Sequence, residues 1–99
     1  MEEIVYYNDL YDLYHSLLTE KQKSYFQDYY FDNLSYSEMA EKYNVSRNAV
    51  FKQLHIVLEK LQEYEDKLSL LEIKKKVDSI VDKIEDKEIK NELENLFID

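Results

Sequence analysis

The amino-acid sequence predicts an all-α protein, a helix-turn-helix bundle with a long fourth helix and a C-terminal helical tail. The 99 residues contain no glycine and no proline, although β-proteins use these residues in many of their turns. Apolar residues recur three and four positions apart, which is the period of an amphipathic helix. Serine and threonine precede several of these stretches, at positions where they can cap a helix.

The first two helices are predicted from apolar residues that share one face. In the first helix this face comprises Ile4, Tyr7, Tyr11, Tyr14 and Leu18. Thr19 and Gln22 then form a capping box that opens the second helix. The face of the second helix comprises Tyr25, Phe26, Tyr29 and Tyr30. We expect this helix to end at Asp32 and Asn33, because asparagine tolerates the left-handed backbone conformation.

Residues 35–54 have the pattern of a helix-turn-helix. Ser35 and Glu38 form a second capping box at the start of its first helix. Ala40 supplies the small side chain that two crossing helices need. Four residues later, Asn44 can adopt the left-handed conformation of the turn, where glycine is the usual residue.

The second helix of this motif, called the recognition helix below, is predicted to begin after Ser46, which caps it. Val50 then points inward one turn later. Val45 is expected to fill the core beneath the turn. The remaining core positions of the motif are Met39, Tyr43 and Leu54.

The recognition helix continues as a long apolar stripe. The stripe comprises Val50, Leu54, Val57, Leu58, Leu61, Tyr64, Leu68 and Leu71. We expect a break at residues 71–74, because the apolar positions then move to a new face, formed by Ile73, Val77, Ile80, Val81 and Ile84. A last apolar set follows Asp86 and comprises Ile89, Leu93, Leu96 and Phe97.

Two units follow from this organisation, a helix-turn-helix domain at residues 1–62 and a C-terminal helical extension at residues 63–99. The stripe is longer than a small N-terminal core can cover. The extension is therefore expected either to fold back on the chain or to pair with a second copy. We favour a homodimer held largely by residues 54–97.

One stretch lacks acidic residues although the chain is strongly acidic. The chain has 22 Asp and Glu against 13 Lys and Arg, a net charge of −9. Residues 43–58 contain no acid, and their possible charges are Arg47, Lys52 and His55. Because a carboxylate here would repel phosphate, its absence favours a nucleic-acid interface.

The candidate nucleic-acid-binding residues are Ser46, Arg47, Asn48, Phe51, Lys52 and His55. Arginine can pair with guanine through two hydrogen bonds, and asparagine can do the same with adenine. The alternative is that these residues are ordinary solvated positions of a helix, and the sequence leaves that alternative open.

The segment LTEKQKSYFQDYYFDNLSYSEMAEKYNVSRNAVFKQLHIVLEKL, residues 18–61, resembles the fourth region of bacterial sigma factors. The runs LYDLYHSLLTEKQKSYFQDYY and SRNAV are more closely similar to the YlxM family. These are small helical proteins whose genes commonly neighbour those of the signal recognition particle. The resemblance covers about residues 8–72. It implies a DNA-binding regulator with a link to the signal recognition particle pathway.

The recognition helix departs from the sigma-factor pattern. Phe51 occupies an outward position, and Ile56, Val57 and Leu58 stand where arginines are common. Because phosphate contacts supply much of the affinity for DNA, we expect a moderate to low affinity. The alternative function is a modulator that binds protein or RNA components of the signal recognition particle without reading a DNA sequence.

Other functional classes are disfavoured. We predict no enzyme, no cofactor and no metal site, because the chain has no cysteine and its two histidines, His15 and His55, lie on different helices. No apolar run is long enough to span a membrane, and the N-terminal stretch is acidic. We therefore expect a cytoplasmic protein with no membrane partner. The run Lys74, Lys75 and Lys76 is expected to be solvated, and most of the ten tyrosines to be structural.

Overall fold

A computed structural model describes the backbone of residues 2–97 and the side chains of residues 3–96. These residues form helices and turns without a β-strand, so the predicted all-α fold is confirmed. The helices are α1 (Glu2–Tyr14), α2 (Glu20–Phe26), α3 (Tyr36–Tyr43), α4 (Arg47–Leu68), α5 (Leu70–Val81) and α6 (Lys87–Glu94). Single turns of 3₁₀-helix cover His15–Leu17 and Asn95–Phe97, and a π-helical turn, Gln27–Phe31, extends α2.

Both predicted capping boxes are confirmed. The Thr19 hydroxyl accepts a hydrogen bond from the Gln22 amide at 3.1 Å, and the Gln22 side chain accepts one from the Thr19 amide at 2.9 Å. Ser35 and Glu38 form the same reciprocal pair at 3.0 and 3.1 Å. Each box satisfies backbone donors that the first turn of a helix leaves unpaired. The starts of α2 and α3 are therefore determined locally.

The turn between α3 and α4 has the predicted conformation. Asn44 is left-handed, with φ 54° and ψ 49°. The Val45 amide donates to the Ala40 carbonyl at 3.0 Å, and the Asn44 amide donates to the Glu41 carbonyl at 3.3 Å. This pair of bonds is the Schellman pattern that closes a helix before a change of direction. The Ser46 hydroxyl then accepts from the Ala49 amide at 3.1 Å and caps α4, as predicted.

The helix-turn-helix has its own hydrophobic cluster, formed by the buried residues Tyr25, Met39, Val50 and Leu54. The prediction that Val45 fills this core is wrong, because its side chain is 39% exposed. Tyr43 packs against the cluster instead, with its ring stacked on Tyr25 at a centroid distance of 4.3 Å. The aromatic pair therefore covers the core from the α3 side, and the turn residue faces solvent.

A second cluster joins α1 to the middle of the chain. Its buried members are Leu10, Tyr11, Tyr14, Leu18, Phe26, Val57, Leu61 and Leu71. The predicted face of the first helix is therefore correct at Tyr11 and Tyr14, and Leu18 is buried as predicted although it lies beyond the end of α1. The prediction is wrong at Ile4, which is 47% exposed, and it omits Leu10, which is fully buried. The buried face is centred between Leu10 and Tyr11, and at 100° per residue Ile4 lies at its edge.

The break after the long helix occurs earlier than predicted. Helix α4 ends at Leu68, and Ser69 adopts the left-handed conformation with φ 55°. Ser69 does not cap α5 with its side chain. Instead, the Glu65 carboxylate accepts hydrogen bonds from the amides of Leu71 at 2.9 Å and Glu72 at 3.2 Å. The break therefore lies where a carboxylate of the preceding helix can cap the next one.

Tyr14 of α1 completes this junction. Its hydroxyl donates to Glu65 at 2.6 Å and accepts from the Leu70 amide at 3.0 Å. Burial, followed by the hydrogen bond to Glu65, raises the pKa of Tyr14 to about 12. The phenol is therefore protonated at neutral pH and remains a donor to the carboxylate.

Helix α5 packs against α1, α6 packs against α5, and the molecule measures 53 × 25 × 24 Å. The predicted face of α5 is only partly covered, because Val81 is buried whereas Ile73 and Ile80 are 45% and 60% exposed. Leu68, expected within the apolar stripe, is also 48% exposed, because α4 ends there. Asp86 caps α6, accepting from the amides of Glu88 and Ile89. The side chain of Phe97 lies outside the described residues.

Candidate nucleic-acid interface

The N-terminal half of α4 is the exposed recognition helix of the helix-turn-helix. Val50 and Leu54 anchor it, because both are buried against Tyr25 and Met39. Side chains between these inward positions point away from the core. The six candidate residues therefore share one exposed stretch at the start of the helix, and all six are solvent-exposed: Ser46, Arg47, Asn48, Phe51, Lys52 and His55.

Arg47 and Lys52 supply the positive charge of this surface. Among the side chains that the structure describes, neither forms an ion pair. Of the eleven lysines elsewhere in the sequence, six are paired with carboxylates: Lys23, Lys42, Lys60, Lys67, Lys74 and Lys76. The first turn of α4 also contains no acidic residue. An approaching phosphate would therefore meet two cations that are not neutralised by a neighbouring carboxylate.

Phe51 is exposed but held in position by other rings. It is 43% exposed, and it packs edge-to-face against Tyr36 at a centroid distance of 6.0 Å and an angle of 77°. It also packs against His55 at a centroid distance of 4.3 Å. Tyr36 in turn stacks on Tyr29 at 5.2 Å. Because aromatic contacts of this kind contribute about 0.5–1.5 kcal/mol each, the exposed ring is preorganised rather than free.

A shallow depression of about 400 Å³ lies beside this ring. We call it the aromatic depression, and it is lined by Tyr36, Ser46, Arg47, Asn48 and Phe51. The lining combines two aromatic rings with a guanidinium, an amide and a hydroxyl. The arrangement therefore offers apolar ring surface next to hydrogen-bond donors and acceptors.

A buried carboxylate on α2's π-helical turn holds α3 in place behind this surface. Asp28 is 5% exposed. Both of its carboxylate oxygens accept from Lys42 at 3.0 Å, and one accepts from the Tyr43 hydroxyl. Burial, followed by this hydrogen bond to Asp28, raises the pKa of Tyr43. These bonds tie the last turn of α3 to the segment that precedes it.

Sequence reasoning did not identify Tyr36 or Asp28. Tyr36 is the first residue of α3, and no local pattern relates it to Phe51, which is 15 positions away in the printed sequence. A weak signal existed for Asp28, since it is the one acid within the apolar segment Tyr25 to Phe31. A lone carboxylate on a buried helix face needs a partner. The sequence could therefore have indicated a buried ion pair without naming Lys42.

Comparison with known proteins gives the family. The sequence profile of a family described as "Putative helix-turn-helix protein, YlxM / p13 like" matches residues 1–98. This chain belongs to the UPF0122 family. The resemblance inferred from the sequence is thereby confirmed, and the UPF0122 description agrees with the turn geometry at Asn44.

Curated UPF0122 proteins from several bacilli are similar to this chain. UPF0122 protein ABC2295 of Shouchella clausii (strain KSM-K16) is 54% identical over 65 residues, covering 66% of this chain and 60% of the relative. UPF0122 proteins of Bacillus thuringiensis (strain Al Hakam) and Bacillus mycoides (strain KBAB4) are each 49% identical over 72 residues, covering 73% of this chain and 66% of each relative. The matched region thus spans less than two thirds of the length of these relatives.

Two further properties concern the helices and the ionisable side chains. Within the described residues, no helix has the length and apolar character needed to cross a membrane. The same residues contain no group of three or more His, Cys, Asp or Glu side chains that could hold a metal ion. His15 begins the 3₁₀ turn after α1, where its Nδ1 atom is 3.1 Å from the Tyr11 carbonyl oxygen, and His55 lies on α4.

Proposed function

We propose that this chain is a cytoplasmic regulatory protein that binds DNA through the N-terminal half of α4, and that it is not an enzyme. The observation that carries the proposal is the exposure of Arg47, Asn48 and Lys52 on a helix start that lacks acidic residues. In a helix-turn-helix, the N-terminal residues of the recognition helix face the base edges of the major groove. The surface therefore has the position and the charge that such a contact needs.

Each candidate residue has a chemical assignment within this proposal. Arg47 can pair with the two acceptors of guanine, and Asn48 with the acceptor and donor of adenine. Lys52, one turn further along α4, can neutralise a phosphate. Ser46 and His55 lie at the two ends of the same stretch and can contact the sugar–phosphate backbone.

Charge reversal at the two cations tests this proposal. Arg47→Glu combined with Lys52→Glu should abolish DNA binding in a fluorescence-anisotropy titration, because it places two carboxylates against phosphate. Far-UV circular dichroism should remain unchanged, because both side chains are exposed. For the unaltered chain, the logarithm of affinity should fall with the logarithm of salt concentration with a slope of about −2, since two cations neutralise few phosphates.

A matched control separates the local effect from a change in net charge. Lys83→Glu combined with Lys87→Glu changes the charge by the same amount at exposed positions outside α4. This control variant should retain most of the affinity for DNA. Binding by the Arg47 and Lys52 variant at the level of the unaltered chain would exclude these residues from the interface.

A second candidate is a modulator that docks on a protein or RNA component of the signal recognition particle, as the family resemblance implies. The observation that favours it is the exposed Phe51 ring at the centre of the same surface, in a chain of net charge −9. A fixed aromatic ring is typical of the anchor of a macromolecular interface. A strongly acidic chain is also repelled by nucleic acid at long range, and a protein component does not carry that phosphate charge.

The two candidates predict different ranks for two substitutions. If α4 docks on such a component, Phe51→Ala should weaken the complex by about 2 kcal/mol or more, and Arg47→Ala by less. If α4 binds DNA mainly through charge, the rank is reversed. Isothermal titration of both variants against DNA and against the purified particle components measures the difference. If both substitutions change the affinity for every partner by the same small amount, α4 is not part of the interface.

A further inference from the structure

The charge on the recognition surface is too small to account for tight binding through phosphates alone. Arg47 and Lys52 are its two strong cations, and the whole chain carries −9. Proteins that neutralise few phosphates gain little affinity from released counterions. A nucleic-acid ligand of this surface must therefore obtain affinity from contacts to its bases.

The aromatic depression offers such a contact. The Phe51 ring is 43% exposed, and it packs against the rings of Tyr36 and His55. Stacking of a base on an aromatic ring requires a fixed ring with an accessible surface, and it is tolerant of the base's identity. Bases within a duplex are covered by their neighbours, so only an unpaired, unstacked base can use this ring.

Polar groups lie where the edge of a stacked base would need partners. Arg47, Asn48 and Ser46 line the same depression as the Phe51 ring. The Asn48 amide provides both a donor and an acceptor, and the Arg47 guanidinium provides donors only. These groups can replace the hydrogen bonds that an unpaired base would otherwise make with water or with its complement.

We propose that the aromatic depression binds a single unpaired nucleobase, which stacks on Phe51 and hydrogen-bonds through its edge to Asn48 and Arg47. The inference rests on the proposed nucleic-acid function of α4 and specifies its ligand as a strand with a bulged or looped-out base. Lys52 lies outside the depression and is left to contact the flanking phosphate. DNA and RNA share the base chemistry, so the strand type is decided by experiment.

Fluorescent hairpins provide the test. Two hairpins of equal length would be compared, one fully paired and one with a single 2-aminopurine bulge, each made as DNA and as RNA. The unaltered chain should bind the bulged hairpin about tenfold more tightly than the paired one, the size expected for one stacked base. Binding should also change the 2-aminopurine fluorescence, because the base exchanges its contacts with neighbouring bases for a contact with the Phe51 ring. If only the DNA hairpins or only the RNA hairpins show the preference for the bulge, that result identifies the type of strand that the protein binds.

Variants at two exposed apolar positions of α4 complete the design. Phe51→Ala should remove both the preference for the bulge and the change in 2-aminopurine fluorescence. Ile56→Ala is the matched control, because it also removes an apolar side chain, at a position that is 41% exposed and does not line the depression. This variant should retain both the preference for the bulge and the fluorescence change. Circular dichroism verifies that both variants remain helical.

The possible outcomes separate this inference from the proposed function. Equal binding of paired and bulged hairpins overturns the base site but leaves duplex binding intact. A bulge preference that survives Phe51→Ala also overturns it, because the base would then lie elsewhere. If neither hairpin type binds, the proposed nucleic-acid function fails and the base site fails with it.

Discussion

At the scale of single residues, Asp28 is the side chain whose replacement should cost the most outside the apolar core. Its carboxylate is nearly inaccessible, whereas the side chain of its partner Lys42 is 52% exposed. Hydrogen bonds to a charged group contribute about 1.5–3 kcal/mol. Asp28→Ala should therefore lower the free energy of unfolding by about 2–3 kcal/mol in urea denaturation, because Tyr43 also loses its acceptor.

Two comparisons test the origin of this loss. Asp32→Ala removes a nearby exposed carboxylate and should change the free energy of unfolding by less than about 0.5 kcal/mol. Asp28→Asn retains a hydrogen-bonding side chain without the charge, so its free energy of unfolding should lie between those of the two alanine variants. Equal stabilities for the Asp28 and Asp32 alanine variants would contradict the buried network.

At the scale of helices, the junction between α4 and α5 depends on a residue from α1. Tyr14→Phe keeps the ring in the core but removes the hydroxyl that bridges Glu65 and the Leu70 amide. We expect a loss of about 1–2 kcal/mol in unfolding free energy, since a partly buried hydrogen bond to a carboxylate and a capping bond disappear together. Hydrogen exchange at the amides of Leu70, Leu71 and Glu72 should accelerate, while exchange in α3 should not.

Tyr64→Phe is the matched control for this change. The Tyr64 hydroxyl also bonds across the bundle, but it donates at 3.2 Å to the Leu17 carbonyl at an exposed position. Water can replace that partner, so the loss should be smaller and the α5 amides should be unaffected. Unchanged exchange at the start of α5 in the Tyr14 variant would show that Glu65 caps the helix without help from α1.

At the scale of the whole molecule, the C-terminal helices leave apolar side chains exposed that a second copy of the chain could cover. The radius of gyration is 16.5 Å, whereas a compact domain of this length has about 13 Å. Exposed apolar side chains occur along this part of the chain: Leu68, Ile73, Ile80, Ile89 and Leu96. We propose that residues 63–99 act as an extension of the domain at residues 1–62 and pair two copies, which would also present two recognition helices to DNA.

Sedimentation equilibrium at micromolar concentration tests this assembly. We expect a species of twice 12.1 kDa, and a single 12.1 kDa species would exclude the dimer. Ile73→Asp combined with Ile80→Asp should yield a folded monomer, because both side chains are exposed. Leu71 is unsuitable for this purpose, because it is buried in the chain's own core. Val5→Asp, at an exposed position on α1, should leave the mass unchanged.

Local hydrogen bonding explains why the helix boundaries of the N-terminal part could be predicted. The capping pairs Thr19 with Gln22 and Ser35 with Glu38 join residues three positions apart, so short sequence patterns contain all of their atoms. The left-handed turn at Asn44 and the cap at Ser46 are local in the same sense. The absence of acids around the recognition helix was likewise visible in the sequence alone, because it is a property of composition.

Tertiary structure alone decided which apolar residues are covered and where the chain bends after α4. Helical periodicity placed Ile73 and Ile80 on one face with Val81, yet only Val81 is buried, because covering a face requires a neighbour that periodicity does not specify. The chain bends at Ser69, where the backbone is left-handed. The Tyr14 hydroxyl helps to hold the start of α5 there, because it accepts a hydrogen bond from the Leu70 amide, which is 56 positions away in the sequence. The pairing of Tyr36 with Phe51 has the same origin, since packing between α3 and α4 brings the two rings together.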